Sequence, residues 1–353
     1  MRPFPEDPEK ILVRATNWIG DAVMMTPALR SLRKACPHSE IVLLAYPWVS
    51  DVFRYSPRIN RLIPFDKRGA HAGLPGLWRL AQELKAERFD CAVLFQNAFE
   101  AAFLTWLARI PVRGGYATDG RSLLLTHRVK KAPNIVTRHE VFYYQRIVRG
   151  LGMPNEPNEL EVFLPGFEID AARDLLGRYL GEARERALVI GFNPGAAFGP
   201  AKRWPAPRYA ELARQLAKRY DNLRILLFGS EADRPTTQEI QQLAGKKARI
   251  IDLAGRTRLI AAMALIGECD LFVTNDSGLM HVAAALHTPQ VAVFGSTDHV
   301  ATGPWSDGAV VIRKALPCAP CKKKVCPLGH FQCMKMITSE EVEKAVVRLL
   351  DNK

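Results

Sequence analysis

Three loops carry residues whose types and spacing could act on an anionic ligand. In the first, a strand-like run, LFVTN, leads directly into Asp276, Ser277 and Gly278, and then into an apolar helix containing His281. Backbone N–H groups and a hydroxyl at a helix N-terminus bind phosphate groups. The stretch predicts a diphosphate site at the carboxyl end of a strand, where His281 is either a packed residue or a further anion contact.

The segment NPGAAFGPAKRWP, residues 193–205, predicts a second phosphate contact. Gly195, Ala196 and Ala197 would let a ligand approach the backbone, and Lys202 and Arg203 supply positive charge. The segment matches neither G-x-G-x-x-G nor a Walker A loop, so neither a dinucleotide nor a P-loop nucleotide is indicated. The alternative is an ordinary Gly/Pro loop between a strand and a helix.

The third loop, TNWIGD at residues 16–21, follows the first predicted strand and opens a helix. Gly20 permits a tight turn there. Asp21 has two interpretations. It is either the N-cap of the helix, a common role for Asp, or a carboxylate that acts as a general base.

A group of cysteines near the C-terminus could ligate a structural metal. Cys318, Cys321, Cys326 and Cys333 follow the pattern C-x2-C-x4-C-x6-C, with His330 among them. The density resembles that of zinc sites, but the second spacing is unlike that of common zinc ribbons. A structural metal and four unligated thiols therefore both remain as interpretations.

The elements that must position these loops alternate between strand-like and helix-like runs in both halves of the chain. ILVRAT, EIVLLAY and CAVLFQN read as buried strands separated by helices, and the pattern resumes at ALVIGFNPG. Alternation of this kind indicates βαβ units and parallel sheets, hence an α/β fold. We expect domains over residues 1–170 and 171–337, with a final helix over 338–353.

Composition narrows the class of partner. The 353 residues carry a net charge of +13, and residues 51–150 hold 17 Lys and Arg against 8 Asp and Glu. Such a field favours nucleic acid, an anionic membrane surface or a phosphorylated substrate. Zinc-finger and RRM signatures for nucleic acid are missing. There is neither a signal-peptide core nor an apolar run of about 18 residues, so a cytoplasmic location is expected.

The three loops together, in this order, resemble glycosyltransferase family 9, and within it the enzymes that transfer heptose from ADP-heptose to lipopolysaccharide. ILVRATNWIGDAVMMTPALRSLRKACP, PGAAFGPAKRWP and TNDSGLMHVAAAL carry the resemblance, which spans nearly the whole chain. Trp18, before Gly-Asp, favours the heptosyltransferase II group. The resemblance implies a GT-B fold, in which two Rossmann-like, doubly wound domains face each other across a cleft. It also implies that the N-terminal domain binds the acceptor and the C-terminal domain the sugar nucleotide.

The resemblance also implies roles for individual residues. Asp21 matches the catalytic base, beside Gly20 on the acceptor side, and Lys202 matches the lysine that contacts the donor diphosphate and sugar. Thr257 falls where the family contacts adenine, and either Glu231 or Asp233 would hold the ribose. The donor-binding positions are Gly195, Ala196, Ala197, Lys202, Arg203, Glu231, Thr257, Asp276, Ser277, Gly278 and His281.

By the same resemblance, the donor is ADP-L-glycero-D-manno-heptose and the acceptor is lipid A–Kdo bearing a first heptose, in the inner membrane. We expect transient contact with the anionic cytoplasmic face of that membrane, no required cofactor or divalent ion, and no nucleic-acid partner. Three alternatives remain: a family 9 enzyme with another sugar nucleotide or acceptor, a GT-B-like sugar-nucleotide epimerase, and a basic nucleic-acid-binding protein.

Overall fold

The computed structural model describes residues 4–154, 156–181 and 187–351. The chain forms two compact units, Met1–Phe163 and Leu164–Lys353. The division falls before the predicted boundary at 170/171, because helix α7 (Gly166–Leu180) belongs entirely to the second unit. The final helix, α14 (Ser339–Asp351), also belongs to that unit and packs on helix α8 (Ala206–Arg219) and on three of its strands.

The first unit is a six-stranded, wholly parallel sheet with helices on its faces. The order across the sheet is β3-β2-β1-β4-β5-β6. Its strands are β1 (Lys10–Arg14), β2 (Glu40–Ala45), β3 (Arg61–Pro64), β4 (Cys91–Leu94), β5 (Val112–Tyr116) and β6 (His127–Val129). Its helices are α1 (Ile19–Met24), α2 (Thr26–Ala35), α3 (Pro47–Ser50), α4 (Gly73–Ala86), α5 (Phe99–Leu107) and α6 (Glu140–Gly150).

The second unit repeats this architecture. The sheet order is β12-β11-β10-β7-β8-β9, and every pairing is parallel. Its strands are β7 (Leu188–Asn193), β8 (Leu223–Leu227), β9 (Ile250–Asp252), β10 (Leu271–Asn275), β11 (Gln290–Phe294) and β12 (Ala309–Arg313). Besides α7, α8 and α14, its helices are α9 (Arg234–Ala244), α10 (Leu259–Gly267), α11 (Gly278–Ala285), α12 (His299–Thr302) and α13 (Gln332–Lys335).

Each sheet is buried on both faces, which explains the continuous apolar runs in the sequence. In β1, Ile11, Leu12 and Val13 have no exposed surface, and in β10 every residue is buried. In both sheets the strand order reverses next to the first strand of the unit, between β1 and β4 and between β7 and β10. Loops at such a reversal diverge and leave a crevice for ligands outside the carboxyl ends of the strands.

The segment GDAVMMTPALRSLRKA, residues 20–35, reads from the sequence as one helix, but this helix is interrupted in the structure. It ends at Met24 as α1, and α2 begins at Thr26. Pro27 is the reason, because it has no N–H to donate to the carbonyl four residues earlier. The hydroxyl of Thr26 donates to that carbonyl, the oxygen of Val23, over 2.7 Å.

The α/β class and the two Rossmann-like sheets predicted from the sequence are confirmed. Within the described ranges, none of the helices has the length and apolar character needed to cross a membrane.

Candidate functional site

The predicted phosphate-binding loops lie at the topological reversal of the second sheet. The loop at residues 194–204 follows β7, and Asp276 and Ser277 follow β10, the strand beside it. Among the other predicted donor residues, Gly278 and His281 lie in α11, Glu231 follows β8 and Thr257 follows β9. Parallel strands end at one edge, so the fold gathers these separate segments at a single rim of the sheet.

Ser277 is the N-cap of α11 and accepts a hydrogen bond from the backbone N–H of Met280 over 3.4 Å. The side-chain amide of Asn193, at the end of β7, donates to the same hydroxyl over 2.7 Å. It also donates to the hydroxyl of Thr274 over 3.1 Å. The N-terminus of α11 is thereby held against β7, with Gly278 as the first helical residue.

A second asparagine, Asn275, attaches the 194–204 loop to β10. The Asn275 side chain is buried, and its amide nitrogen donates to the carbonyl of Pro194 over 2.7 Å. Its oxygen accepts from the backbone N–H of Trp204 over 3.1 Å and from the hydroxyl of Tyr209 over 3.2 Å. Both ends of the loop are therefore fixed to one side chain, which pre-organises the backbone between them.

Lys202 forms an ion pair with Asp276 inside this rim. The Lys202 ammonium lies 2.7 Å from a carboxylate oxygen of Asp276, and both side chains are largely buried. The hydroxyls of Thr297 and Thr302, which follow β11, donate to the same oxygen over 2.5 and 3.4 Å. Asp276 thus positions Lys202 at the N-terminal end of α11. A diphosphate bound there would be stabilised by the ammonium group and by the helix N-terminus.

Arg203 makes only long contacts. Its guanidinium lies 3.6 Å from the Asp233 carboxylate and 3.5 Å from the carbonyl of Ala196. Its buried Nε has no hydrogen-bond partner in the part of the chain that the structure describes. An arginine satisfied this loosely retains donors for a bidentate anion contact.

Gly195 also lies in close contact with a protein side chain. A Cβ at this position would lie 2.7 Å from the carboxylate of Asp233. Asp233 in turn accepts from the backbone N–H and the hydroxyl of Ser230 over 2.9 and 2.7 Å. The close approach is therefore to Asp233, which is occupied in capping the turn after β8. Ala196 is buried and Ala197 is exposed.

Glu231 and Thr257 lie on adjoining turns after β8 and β9. The backbone of Gly255, with φ +69°, passes so close to Glu231 that a Cβ there would lie 3.0 Å from its Cα. The N–H of Gly255 donates to the carbonyl of Gly229 over 3.0 Å. The Glu231 carboxylate is mostly exposed and pairs with Arg234 over 2.9 Å. Of the two carboxylates considered for the ribose, Glu231 is the accessible one.

His281 is buried within α11, one turn from its N-terminus, with 2% of its surface exposed. It lies in the same helix as Ser277 and Gly278, but its burial favours the packed interpretation over direct contact with a ligand.

In the first unit, Asp21 lies in α1, directly after the first strand. It is the third residue of the helix, and the N-cap is Trp18, which makes no side-chain capping bond. The N-cap interpretation of Asp21 is therefore wrong. The hydroxyl of Tyr144, on α6, donates to the Asp21 carboxylate over 3.0 Å. Gly20 is buried beside it.

Tyr144 is a permanent donor to Asp21. Burial raises the pKa of Tyr144 well above its usual value, and the neighbouring Asp21 carboxylate raises it further. The phenol therefore stays protonated over any ordinary assay range, and it orients one oxygen of the carboxylate.

Two buried arginines shape the same edge of the first sheet. Arg14 donates to the carbonyl of Ala15 over 2.6 Å and to the side chain of Asn17 over 2.9 Å. Arg121 donates to the side chain of Asn97 over 2.8 Å, and burial lowers its pKa to about 10. They hold the loops after β1 and β4, which flank the topological reversal in this sheet.

A model of glycosyltransferase family 9 (heptosyltransferase) matches residues 77–332, more than half of the chain and nearly all of the donor rim. The chain belongs to glycosyltransferase family 9. The predicted membership and the prediction that the chain is a glycosyltransferase are both confirmed.

Relatives of this family 9 enzyme match over almost its whole length. Lipopolysaccharide heptosyltransferase 2 of Salmonella typhimurium is 35% identical, over 97% of this chain and 98% of that protein. The structure of E. coli ADP-heptose lipopolysaccharide heptosyltransferase II is 32% identical, covers 97% of this chain and 99% of that one, and has a TM-score of 0.80. A family 9 structure from Veillonella parvula is 27% identical over 100% of both chains, with a TM-score of 0.88.

Four of the seven cysteines of this family 9 chain line one pocket together with His330: Cys318, Cys321, Cys326 and Cys333. The Cys318 sulfur lies 4.0 Å from the His330 Nε2. Within the described ranges, no three His, Cys, Asp or Glu side chains are arranged to hold a metal ion. All four thiols are free of disulfides.

The Cys-rich segment supports the donor loop. Ala201 lines the same pocket as the thiols, and its N–H donates to the carbonyl of Lys324 over 3.1 Å. Gly199 passes so close to that carbonyl that a Cβ there would clash with it. The segment therefore adjoins the residues that flank Lys202 and supports them through this hydrogen bond and through packing.

We expect replacement of Cys318 and Cys321 together by Ser to lower the melting temperature while kcat stays within about two-fold. The physical reason is that the thiols line a pocket that supports the loop. Thermal unfolding, heptose-transfer kinetics and elemental analysis of the purified protein check this. A stoichiometric metal whose removal abolishes turnover without lowering the melting temperature would contradict it.

Sequence reasoning missed the side chains that hold the predicted ones in place: Asn193, Asn275, Thr297, Thr302, Tyr209 and Tyr144. Asn193 and Asn275 had a signal, since each ends an apolar strand directly before a predicted loop. Tyr144 had none, because it lies inside an amphipathic helix 123 residues from its partner.

Proposed function

We propose that this family 9 enzyme transfers heptose from ADP-L-glycero-D-manno-heptose to the inner core of lipopolysaccharide, as a heptosyltransferase II-type enzyme. The observation that carries the proposal is the near full-length similarity to lipopolysaccharide heptosyltransferase 2. The solved E. coli relative is named for ADP-heptose, which supports an adenine nucleotide as donor.

The donor diphosphate would bind at the reversal of the second sheet. Ser277, Gly278 and the N-terminus of α11 supply N–H groups, and Lys202 supplies a full charge 2.7 Å from Asp276. The ADP leaving group gains negative charge as the bond to the anomeric carbon breaks. Donors held in place beforehand stabilise that charge without reorganisation. Arg203 is a third contact, and its unused Nε supports this role.

The nucleoside would lie over the turns after β8 and β9. The exposed carboxylate of Glu231 suits the ribose hydroxyls, while Thr257 lies at the turn before α10, where the resemblance puts adenine. Asp233, the other candidate, is engaged with Ser230 and is largely buried.

On the acceptor side, Asp21 would take the proton of the attacking hydroxyl. The new bond forms between that oxygen and the anomeric carbon while the bond to the ADP oxygen breaks, so one displacement inverts the anomeric centre. The hydrogen bond from Tyr144 leaves the second oxygen of Asp21 to receive the proton. We propose that the first unit binds the acceptor and the second unit the donor.

The proposal includes no cofactor and no divalent ion, because Lys202 and the helix N-terminus supply positive charge where it is needed. The acceptor is lipid A–Kdo bearing a heptose, at the cytoplasmic face of the inner membrane. The excess of basic residues between 51 and 150 supports transient contact with that anionic surface. Nucleic acid is not part of the proposal.

Thermal shift with ADP, UDP and GDP tests the donor assignment. We expect ADP to raise the melting temperature most, since at equal concentration the ligand that binds more tightly stabilises the folded chain more. Transfer to purified acceptor, followed by mass spectrometry with and without EDTA, tests the reaction. Preference for UDP or GDP would indicate a family 9 enzyme with another donor, and isomerisation of the donor without acceptor would indicate an epimerase.

A further inference from the structure

Helix α5 is apolar on two faces, of which only one is needed for the core. Ala102, Leu104 and Ala108 are buried against the first sheet. Phe99, Phe103 and Trp106 form a second stripe at i, i+4 and i+7, in which Phe103 is partly buried against the core cluster. Phe99 is 49% exposed and Trp106 48%. A helix that is apolar all round is normally covered on every side.

The neighbouring helix α4 continues this surface. It packs beside α5, and both helices contribute to the same core cluster on one face of the sheet. Its outward side carries Leu74 and Trp78 at i and i+4, exposed by 79% and 56%. We call Leu74, Trp78, Phe99, Phe103 and Trp106 the α4–α5 patch. The aromatic rings on α5 stack on one another, with centroids 6.0 Å apart for Phe99–Phe103 and 5.8 Å apart for Phe103–Trp106.

The patch adjoins the edge of the sheet that bears Asp21. Helices α4 and α5 begin after β3 and β4, so their first turns, with Leu74 and Phe99, lie at the carboxyl ends of parallel strands. Asp21, in the helix after β1, lies at the same edge. The first turns of both patch helices therefore lie at the sheet edge that bears Asp21.

Basic side chains surround the patch. Lys67, Arg68, Arg79 and Arg109 are exposed on α4, on the loop before it and at the end of α5. Of these, Lys67 pairs with Glu100 over 2.6 Å, so the basic rim consists of Arg68, Arg79 and Arg109, while the Glu83 carboxylate lies 3.2 Å from His71. Tryptophan and phenylalanine bordered by Lys and Arg form the composition of surfaces that rest on anionic bilayers.

We propose that the α4–α5 patch docks on an anionic lipid bilayer, with its aromatic side chains in the headgroup region and the basic rim on the lipid phosphates. The proposal rests on the proposed function, because an acceptor anchored by acyl chains requires the Asp21 edge to reach a membrane surface. A second copy of the chain is the poorer occupant, since a two-fold contact would bring the two basic rims together.

The test is co-sedimentation of the full chain with vesicles of phosphatidylethanolamine and phosphatidylglycerol at 3:1, or of phosphatidylcholine alone. The double variant Trp78→Gln/Trp106→Gln should bind the anionic vesicles at least about 30-fold more weakly, because two partly inserted rings are lost. The matched control is Phe167→Gln/Tyr179→Gln, two exposed aromatic residues on α7, which should bind as the unaltered chain does.

A second variant tests the charge. Arg79→Glu/Arg109→Glu should also weaken binding to the anionic vesicles, and the unaltered chain should bind phosphatidylcholine about tenfold more weakly than the anionic mixture. Equal binding to both vesicle types, or unchanged binding by Trp78→Gln/Trp106→Gln, would overturn the proposal. The proposal would also be overturned if the chain failed to bind vesicles and instead formed a dimer that Trp78→Gln/Trp106→Gln dissociates.

Transfer assays separate this surface from the proposed reaction. With a delipidated, soluble core oligosaccharide, Trp78→Gln/Trp106→Gln should keep its rate within about two-fold, while transfer to acceptor embedded in vesicles falls. If vesicle binding depends on the patch but no heptose is transferred, the docking proposal stands and the proposed function is wrong. If heptose is transferred but vesicle binding does not depend on the patch, the proposed function stands and the docking proposal is wrong.

Discussion

Replacing Asp21 with Asn should lower the rate of heptose transfer by about 10²–10⁴-fold, the usual contribution of a general base. The melting temperature should barely change. The amide oxygen of Asn can still accept the hydrogen bond that Tyr144 now donates over 3.0 Å, but the amide cannot accept a proton. Heptose-transfer kinetics and thermal unfolding of the purified variant check both parts.

Two further variants separate chemistry from structure at this position. Asp21→Ala leaves the buried hydroxyl of Tyr144 without this acceptor and should cost about 1–3 kcal/mol of stability in addition to activity. Tyr144→Phe keeps the carboxylate and removes only its orienting bond, so its loss of rate should be smaller. Full activity in Asp21→Asn would remove the proposed mechanism and leave Glu231, Asp233 and Asp276 as the remaining carboxylates to test.

Replacing Lys202 with Ala should lower kcat by about 10²–10³-fold, the cost of removing one donor that stabilises charge in the transition state. Lys202→Arg should restore activity only in part, because a planar guanidinium does not reproduce the compact ammonium. Kinetics at varied donor concentration check this, since a transition-state contact lowers kcat as well as kcat/KM.

Two controls are available beside Lys202. The first is Lys324, because its ammonium lies near the same ring as that of Lys202, 5.9 Å from the ring centroid of Phe198 as against 4.9 Å for Lys202. Lys324→Ala should leave turnover nearly unchanged. Asp276→Asn removes the carboxylate from the ion pair but keeps the cation, so it should cost less activity than Lys202→Ala. Activity regained when Asp276→Asn is added to Lys202→Ala would mean that the lysine serves only to neutralise a buried carboxylate.

The predictions that succeeded from sequence concern local patterns. Ser277 was expected at a helix N-terminus, and it is the N-cap of α11. The alternation of strands and helices was enough to predict parallel α/β sheets, because a parallel pairing requires a crossover. The predictions that failed depend on packing. The N-cap interpretation of Asp21 failed, because Asp21 lies inside α1.

The sequence by itself determined the class of fold, the family and the loops that adjoin the strand ends, because hydrophobic period, caps and short motifs are local properties of the chain. Only the tertiary structure decided which side chains meet. Lys202 reaches Asp276, Asn275 holds both ends of the loop after β7, and Tyr144 binds Asp21 from another helix. Such pairs are far apart in the chain and come together because parallel strands end at one edge of a sheet. No local pattern encodes that proximity.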